Sequence, residues 1–169
     1  GYYRATGQPG VALIVTGPGV TNIATAVGEA FADSSKLLVI ATNLEREYLD
    51  TLEGNLHELQ DQMGIMKPIT KWSRRVMLAK EIPSAVAEAL EVLDDGRPRP
   101  VYLEVPLDVF AEEFETDEYA VASPCVAEPN ASDIRAAGDL IRSGGKLIVM
   151  AGGGTVSPEA ADALKEFVE

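Results

Sequence analysis

Three short apolar runs separated by helical patterns constrain the fold of this chain more than any other feature. The runs VALIVT (11–16), KLLVIAT (36–42) and VYLEV (101–105) are nearly continuous in apolar residues, as is typical of strands buried on both faces of a parallel sheet. Between them, apolar residues recur at helical spacing over residues 22–32 and 83–93. The order strand, helix, strand, helix predicts an α/β fold with a doubly wound parallel sheet.

Capping signals and a further run refine this expectation. Thr21 precedes the first helical pattern as a candidate cap, and Pro83 suits the first turn of the second. The run ITKWSRRV (69–76) predicts a further strand, the third in chain order, and residues 56–63 predict a short helix.

Acidic residues suggest where the first domain ends. Seven acids and no base lie between Glu104 and Glu118, and such a run is typical of a solvated linker. We therefore predict an incomplete first domain over residues 1–110, an acidic linker over 111–131 and the start of a second α/β domain over 132–169. In the second domain, Ser132 would cap a helix, KLIVMA (146–151) would form a strand, and Ser157-Pro158 would open a last helix.

Composition excludes several classes of partner. The chain has 14 Lys+Arg against 27 Asp+Glu and a formal net charge of −13, which argues against nucleic acid and against an anionic membrane. No apolar run is long enough to span a bilayer. The single cysteine, Cys125, excludes a disulfide framework and favours a reducing, cytoplasmic location.

The segment after the first strand is the most informative candidate for a site. Gly17-Pro18-Gly19-Val20-Thr21-Asn22 lies between a predicted buried strand and a helix, where ligands bind in open parallel sheets. Glycines allow close approach of the backbone to a flat ring. Spacing alone leaves two interpretations open, a ligand loop and a tight structural turn. A P-loop is excluded because its Gly-Lys-Ser/Thr ending is absent.

Four motifs in this order resemble the thiamine-diphosphate-dependent enzymes of the acetolactate synthase and 2-oxo-acid decarboxylase group. The motifs are GYYRATG (1–7), GPGVTN (17–22), ITKWS (69–73) and RPRPVYLEVPLDV (97–109). The resemblance covers nearly the whole chain and implies the later part of the pyrimidine-binding domain followed by the start of the central domain. By the same resemblance, the residues that lie against the cofactor's pyrimidine ring are Gly17, Pro18, Gly19 and Asn22.

The resemblance also implies the chemistry and the assembly. It implies thiamine diphosphate and Mg²⁺ as cofactors, a small 2-oxo acid as substrate, a lyase or transferase activity, and a homodimer or homotetramer. The family's proton-relay glutamate is expected upstream of Gly1, and its Gly-Asp-Gly…Asn motif for Mg²⁺ downstream. We therefore assign no catalytic residue and no metal ligand here, and expect these 169 residues alone to be inactive. FAD occurs in the central domain of some relatives, but no residue here supports it.

One segment departs from the family pattern. His57-Glu58-Leu59 stands where acetolactate synthases usually carry Phe-Gln-Glu, so the resemblance implies that His57 and Glu58 face the substrate. The alternative for His57 is an ordinary surface or packing residue. Exchanging an amide for a carboxylate alters charge and donor capacity. The departure therefore favours another 2-oxo acid, or decarboxylation without carboligation, over acetolactate synthesis.

A second class of function stays open at this point. Gly152-Gly153-Gly154-Thr155 follows a predicted strand and would suit a non-catalytic nucleotide- or FAD-binding or oligomerisation module. The segment lacks the complete dinucleotide fingerprint, so a tight turn is the competing interpretation.

Overall fold

A computed structural model describes residues 1–115 and 128–169. The chain divides into two compact units, Gly1–Cys125 and Val126–Glu169. Residues 116–127 of the predicted acidic linker, including Cys125, lie outside the described residues, and the predicted domain bounds stay a prediction.

The first unit is built on a four-stranded parallel sheet with the strand order β1-β2-β4-β3. Its strands are β1 (Gly10–Ile14), β2 (Leu37–Asn43), β3 (Trp72–Arg75) and β4 (Val101–Pro106). Its helices are α1 (Tyr2–Thr6), α2 (Pro18–Ala32), α3 (Gln62–Met66), α4 (Ile82–Asp94) and α5 (Leu107–Phe110). The predicted α/β class is confirmed, and all three central apolar runs form strands.

Alternation along the strands places a core on each face of this sheet. On one face, Val39 and Tyr102 pack with Val20 and Val27 of α2. On the other face, neighbouring strand residues pack against α4, as Leu38 and Val101 do with Ala89 and Leu93. Helices therefore cover both faces, which is the doubly wound arrangement that the sequence predicts.

The edge strand β1 differs from the expectation of burial on both faces. Ile14 packs into the core beside α2, but Val11 and Leu13 are 62% and 75% exposed. Successive strand side chains point to opposite faces, and only one face of β1 is covered by the residues that the structure describes.

Helix α2 begins earlier than the capping pattern predicts. Its N-cap is Gly17 and Pro18 is its first residue, where the missing N–H and fixed φ of proline are tolerated. Thr21 is therefore not the cap, and its hydroxyl instead donates to the Pro18 carbonyl at 3.2 Å. The glycine-rich segment is thus the entry and first turn of a helix.

The helix predicted over residues 56–63 is wrong in position. Helix α3 starts at Gln62 and is capped by Asp61, whose side chain accepts from the Gly64 N–H at 2.7 Å. Upstream, Asp50, Leu52 and His57 have positive φ values of 63°, 57° and 64°. That backbone region is incompatible with a right-handed helix.

The second unit has two helices within its described residues 128–169, α6 (Ala131–Ser143) and α7 (Pro158–Val168). Asn130 caps α6, so the assignment of that cap to Ser132 is wrong. Ser157 caps α7 with Pro158 at its first position, as predicted. Residues 146–151 form no strand, and Ile148 and Met150 are 90% and 96% exposed. A strand requires a hydrogen-bonding partner strand, and the described part of this unit has none.

Candidate active site

Buried polar side chains gather where β1, β2 and β4 approach their carboxyl ends. The buried residues that share this place are Thr16, Asn43, Gln62 and Glu104. Burying polar groups is costly unless each finds a hydrogen-bond partner. The carboxyl edge of a parallel sheet is also where ligands bind, so this cluster and the segments it holds are the candidate site.

Gln62 joins most of these groups. It is the first residue of α3 and is 2% exposed. Its Oε1 accepts from the Gly17 N–H and the Thr16 hydroxyl, both at 2.8 Å. Its Nε2 lies 2.9 Å from the Thr42 carbonyl oxygen and 3.2 Å from Glu104 Oε2. One side chain therefore connects the entry to α2, the end of β2 and the interior of β4.

Glu104 is a fully buried carboxylate on β4. Asn43 Nδ2 donates to its Oε1 at 2.8 Å, and Arg75 of the neighbouring strand forms an ion pair with the same oxygen. Arg75 and Glu104 are register partners across β3 and β4. A buried charge is tolerated only when paired and hydrogen-bonded, and Glu104 meets both conditions.

Tyr102 contributes a hydroxyl to the same cluster. It is fully buried and donates to Glu104 Oε2 at 2.9 Å. Burial, and next the neighbouring Glu104 charge, raise the pKa of Tyr102 well above its usual range. The phenol is therefore neutral and serves as a hydrogen-bond donor.

Gly17 shows why this position requires glycine. Its φ is +64°, and a Cβ built on it would lie 2.2 Å from the His57 carbonyl oxygen and 2.8 Å from His57 Cβ. No side chain fits in that space, so the backbone of the loop before α3 lies directly against the entry to α2. The structure thus brings together Gly17, predicted to contact the cofactor, and His57, predicted to face the substrate.

The other predicted cofactor residues follow in the first turns of α2. Pro18 and Asn22 are exposed, and Gly19 is half-buried. A Cβ on Gly19 would lie 2.8 Å from Val15 Cγ1. An exposed proline ring and an amide beside a bare glycine backbone suit contact with a flat heteroaromatic ring, because they combine an apolar surface with a donor and an acceptor. The residues present therefore fit a pyrimidine ring.

His57 is exposed at the tip of this loop with a left-handed backbone. Histidine tolerates this conformation better than most side chains. Residues in sparsely populated backbone regions cluster at functional sites, and Asp50 and Leu52 of the same loop share the conformation.

Glu58 stabilises the turn beside it. Its Oε2 accepts from the Gly54 N–H at 2.6 Å and the Asn55 N–H at 3.1 Å. Burial opposes the charge, but these donated hydrogen bonds together outweigh it and lower the pKa of Glu58. Its Oε1 and Asn55 Nδ2 are buried and have no hydrogen-bond partner among the residues that the structure describes. Glu58 is therefore an ionised, partly satisfied carboxylate one residue from His57.

Two further features bear on metals and membranes. Within residues 1–115 and 128–169, no group of three His, Cys, Asp or Glu side chains is placed to hold a metal ion. None of the helices formed by these residues has the length and apolar character needed to cross a membrane.

The polar cluster at Thr16, Asn43, Gln62 and Glu104 is not among the sites predicted from the sequence. Glu104 belongs to the acidic run 104–118, but it also interrupts the apolar run VYLEV, and a charge in a buried strand requires a partner. Arg75 on the adjacent strand is that partner. No local sequence pattern marks Gln62 as part of a site, because its hydrogen-bond partners lie 20 to 46 residues away in the chain.

Comparisons with known proteins relate this chain to thiamine pyrophosphate-dependent enzymes. Residues 1–65 match the thiamine pyrophosphate enzyme N-terminal TPP binding domain. A Pseudomonas aeruginosa protein named "Probable 2-ketoarginine decarboxylase" is 41% identical over 98% of this chain and 30% of its own length.

Acetolactate synthases are also similar. The large subunit of Escherichia coli isozyme 1 is 31% identical over 95% of this chain and 28% of its own length. The mitochondrial catalytic subunit of Saccharomyces cerevisiae is 38% identical over 66% of this chain and 16% of its own length. The chain therefore spans less than a third of the length of these relatives. The alternative of a nucleotide-binding module is not favoured, because the matching family model and these relatives are thiamine pyrophosphate enzymes, a decarboxylase and acetolactate synthases.

Proposed function

Because the chain belongs to the thiamine pyrophosphate-dependent enzyme family, we propose that it supplies the pyrimidine side of a thiamine diphosphate site in a 2-oxo acid decarboxylase or carboligase. The observation that carries this proposal is the contact between Gly17 and His57 at the carboxyl edge of the sheet. It joins the helix entry assigned to the cofactor with the loop assigned to the substrate.

Each residue of the site has a proposed part. Thiamine diphosphate, when bound, supplies the electron sink that decarboxylation of a 2-oxo acid requires. Pro18 and Gly19 would present a flat surface to the pyrimidine ring, and the Asn22 amide would donate to it or accept from it. His57 and Glu58 would orient the 2-oxo acid from the loop above.

Decarboxylation is the preferred reaction over acetolactate synthesis. His57-Glu58-Leu59 replaces the aromatic-amide-acid pattern of acetolactate synthases. The relative that is 41% identical to this chain is named as a decarboxylase of 2-ketoarginine, which supports a substrate other than pyruvate. The proposal includes Mg²⁺ as the second cofactor, a homodimer or homotetramer, and a cytoplasmic location. The family resemblance and the single cysteine support these three points.

The test is a panel of 2-oxo acids assayed with thiamine diphosphate and Mg²⁺ on the natural-length protein that carries this chain. The panel includes 2-ketoarginine, pyruvate and 2-oxobutanoate, and both carbon dioxide and acetolactate are measured. We expect carbon dioxide release that depends on added thiamine diphosphate, with little acetolactate from pyruvate.

A double variant restores the first two positions of the family's Phe-Gln-Glu pattern as an internal check. His57→Phe with Glu58→Gln should shift the preference toward pyruvate, whereas Glu53→Gln, an exposed change in the same loop, should leave it unchanged. Turnover independent of thiamine diphosphate, or acetolactate as the main product of the unaltered protein, would overturn the proposal.

A further inference from the structure

We propose that Gln62 is a positioning residue that fixes the backbone of Gly17, and with it the first turn of α2, in the conformation that the pyrimidine ring requires. The inference rests on the proposed function, but it concerns a residue that is neither in the glycine turn nor in the substrate-facing pair. Its role is to act through Gly17.

The amide oxygen of Gln62 holds two segments at once. It accepts from the Gly17 N–H and from the Thr16 hydroxyl, each at 2.8 Å. A carbonyl oxygen has two lone pairs, and both are used here. The Gly17 N–H precedes the first helical residue of α2, so this hydrogen bond acts where the chain turns from strand to helix.

The amide nitrogen sets the orientation of this side chain. It donates to the Thr42 carbonyl oxygen at 2.9 Å, with Tyr102 Oη at 3.1 Å and Glu104 Oε2 at 3.2 Å also within reach. A backbone carbonyl oxygen can only accept. The nitrogen must therefore face Thr42 and the oxygen must face Gly17, so the amide cannot be reversed without losing both sets of contacts.

Gly17 needs such a partner because glycine restrains its own backbone weakly. Its φ of +64° is one of several conformations that glycine adopts readily. The His57 carbonyl oxygen packs on one side of Gly17, and Gln62 holds its N–H. Gln62 also begins the helix that closes the loop carrying His57 and Glu58. One side chain thus fixes the turn and the end of the loop together.

The experiment compares two variants at position 62 with a matched control in the natural-length protein. Gln62→Met keeps similar length and removes every polar contact. Gln62→Glu keeps the shape but places a second carboxylate beside Glu104. Gln60→Met makes the same change two residues away at an exposed position. The readouts are thiamine diphosphate affinity by calorimetry with Mg²⁺, and amide hydrogen exchange at Gly17 without cofactor.

We expect Gln62→Met to weaken thiamine diphosphate binding about tenfold or more, since it removes the buried hydrogen bonds of the Gln62 amide, including the one to Gly17, and frees the turn. Exchange at Gly17 should accelerate by a similar factor, roughly tenfold. At saturating cofactor, kcat should change less than the cofactor affinity does, because Gln62 touches no reacting atom. Gln60→Met should match the unaltered protein in every readout.

Gln62→Glu keeps the test decisive even if Gln62→Met does not fold. The charged groups around position 62 are Glu104 on β4, Arg75 on β3 and Asp50 beside Arg75, with the neutral Tyr102 phenol also in contact. Two carboxylates in contact cannot both stay ionised at low cost. Thiamine diphosphate affinity of this variant should therefore fall as the pH rises from about 5.5 to about 8, more steeply than in the unaltered protein.

The outcomes separate this inference from the proposed function. The role of Gln62 would be overturned if a folded Gln62→Met protein kept both its thiamine diphosphate affinity and its Gly17 exchange rate. It would also be overturned if the affinity of Gln62→Glu showed no additional pH dependence. If the unaltered protein failed to bind thiamine diphosphate, the proposed function would be overturned, and with it the proposed effect of Gln62 on cofactor binding. Gly17 exchange would then still report whether Gln62 holds the turn.

Discussion

Replacing Arg75 with methionine tests the buried network below the glycine turn. Glu104 is fully buried, and the Arg75 side chain is 23% exposed. Removing one partner of a buried ion pair costs about 3–5 kcal/mol, because the remaining charge loses its compensation. Since Arg75 is partly exposed and Glu104 keeps its bonds from Asn43 and Tyr102, we expect the lower end of that range, about 3 kcal/mol.

Urea unfolding of the 169-residue chain measures this change. Trp72 is the only tryptophan and lies three residues before Arg75 on β3, so its fluorescence reports on the sheet. With a slope of about 2 kcal/mol per molar urea, a loss of about 3 kcal/mol lowers the unfolding midpoint by roughly 1.5 M.

Arg74→Met is the matched control for this change. Arg74 pairs with Glu88, and their side chains are 35% and 45% exposed, so its loss should cost about 0–1 kcal/mol. Combining Arg75→Met with Glu104→Gln should recover part of the lost stability, because the uncompensated charge is removed. Equal midpoints for Arg75→Met and Arg74→Met would refute the reasoning.

Four further substitutions test the turn and its loop. Gly17→Ala should lower the free energy of unfolding by at least about 2 kcal/mol, because its Cβ would lie 2.2 Å from the His57 carbonyl oxygen. Gly54→Ala, at a φ of +85° with open space around the Cβ, should cost only about 1 kcal/mol in the same urea titration. His57→Gly should keep or slightly raise the unfolding midpoint, since glycine adopts the left-handed backbone of this position without strain. In the natural-length protein the same change should alter the 2-oxo acid preference. A large loss of stability would instead assign His57 a packing role. Because the folded pKa of Glu58 is lowered, its charge stabilises the fold above an unfolded pKa of about 4.3, and this contribution is lost as the pH falls through the folded value. The midpoint difference between Glu58→Gln and the unaltered chain should therefore shrink between about pH 7 and pH 3, and a constant difference would contradict it.

Local patterns were sufficient to predict the strands of the first unit, but not their order in the sheet. The runs ending near Ile14, Asn43 and Pro106 form parallel strands because each is apolar and also finds a neighbouring strand to pair with. Helical spacing likewise predicts α4 from the apolar residues Ile82, Val86, Ala89, Leu90 and Leu93. In the structure the buried residues of α4 are Ala85, Ala89 and Leu93, so the pattern identified two of the three.

Features that depend on distant contacts could not be predicted in the same way. Residues 56–63 were predicted to be helical, but Asp61 caps a later start and His57 takes a left-handed backbone. KLIVMA reads as a strand and forms none, since a strand depends on its partner as much as on its own residues.

In the candidate site too, some features were predicted from sequence motifs and others depend on the fold. Gly17 and His57 were selected from motifs, but their direct contact is a tertiary fact. The contact between Gln62 and Glu104, and so their place in the site, could be recognised only from the folded structure.

A crystal structure of the natural-length protein grown with thiamine diphosphate and Mg²⁺ tests the central claim most directly. The account predicts the aminopyrimidine ring in van der Waals contact with Pro18 and Gly19, with the Asn22 amide within hydrogen-bond reach and the Gly17–Gln62 hydrogen bond intact. A pyrimidine ring bound away from this turn, or a Gly17 N–H turned away from Gln62 in the bound protein, would contradict it.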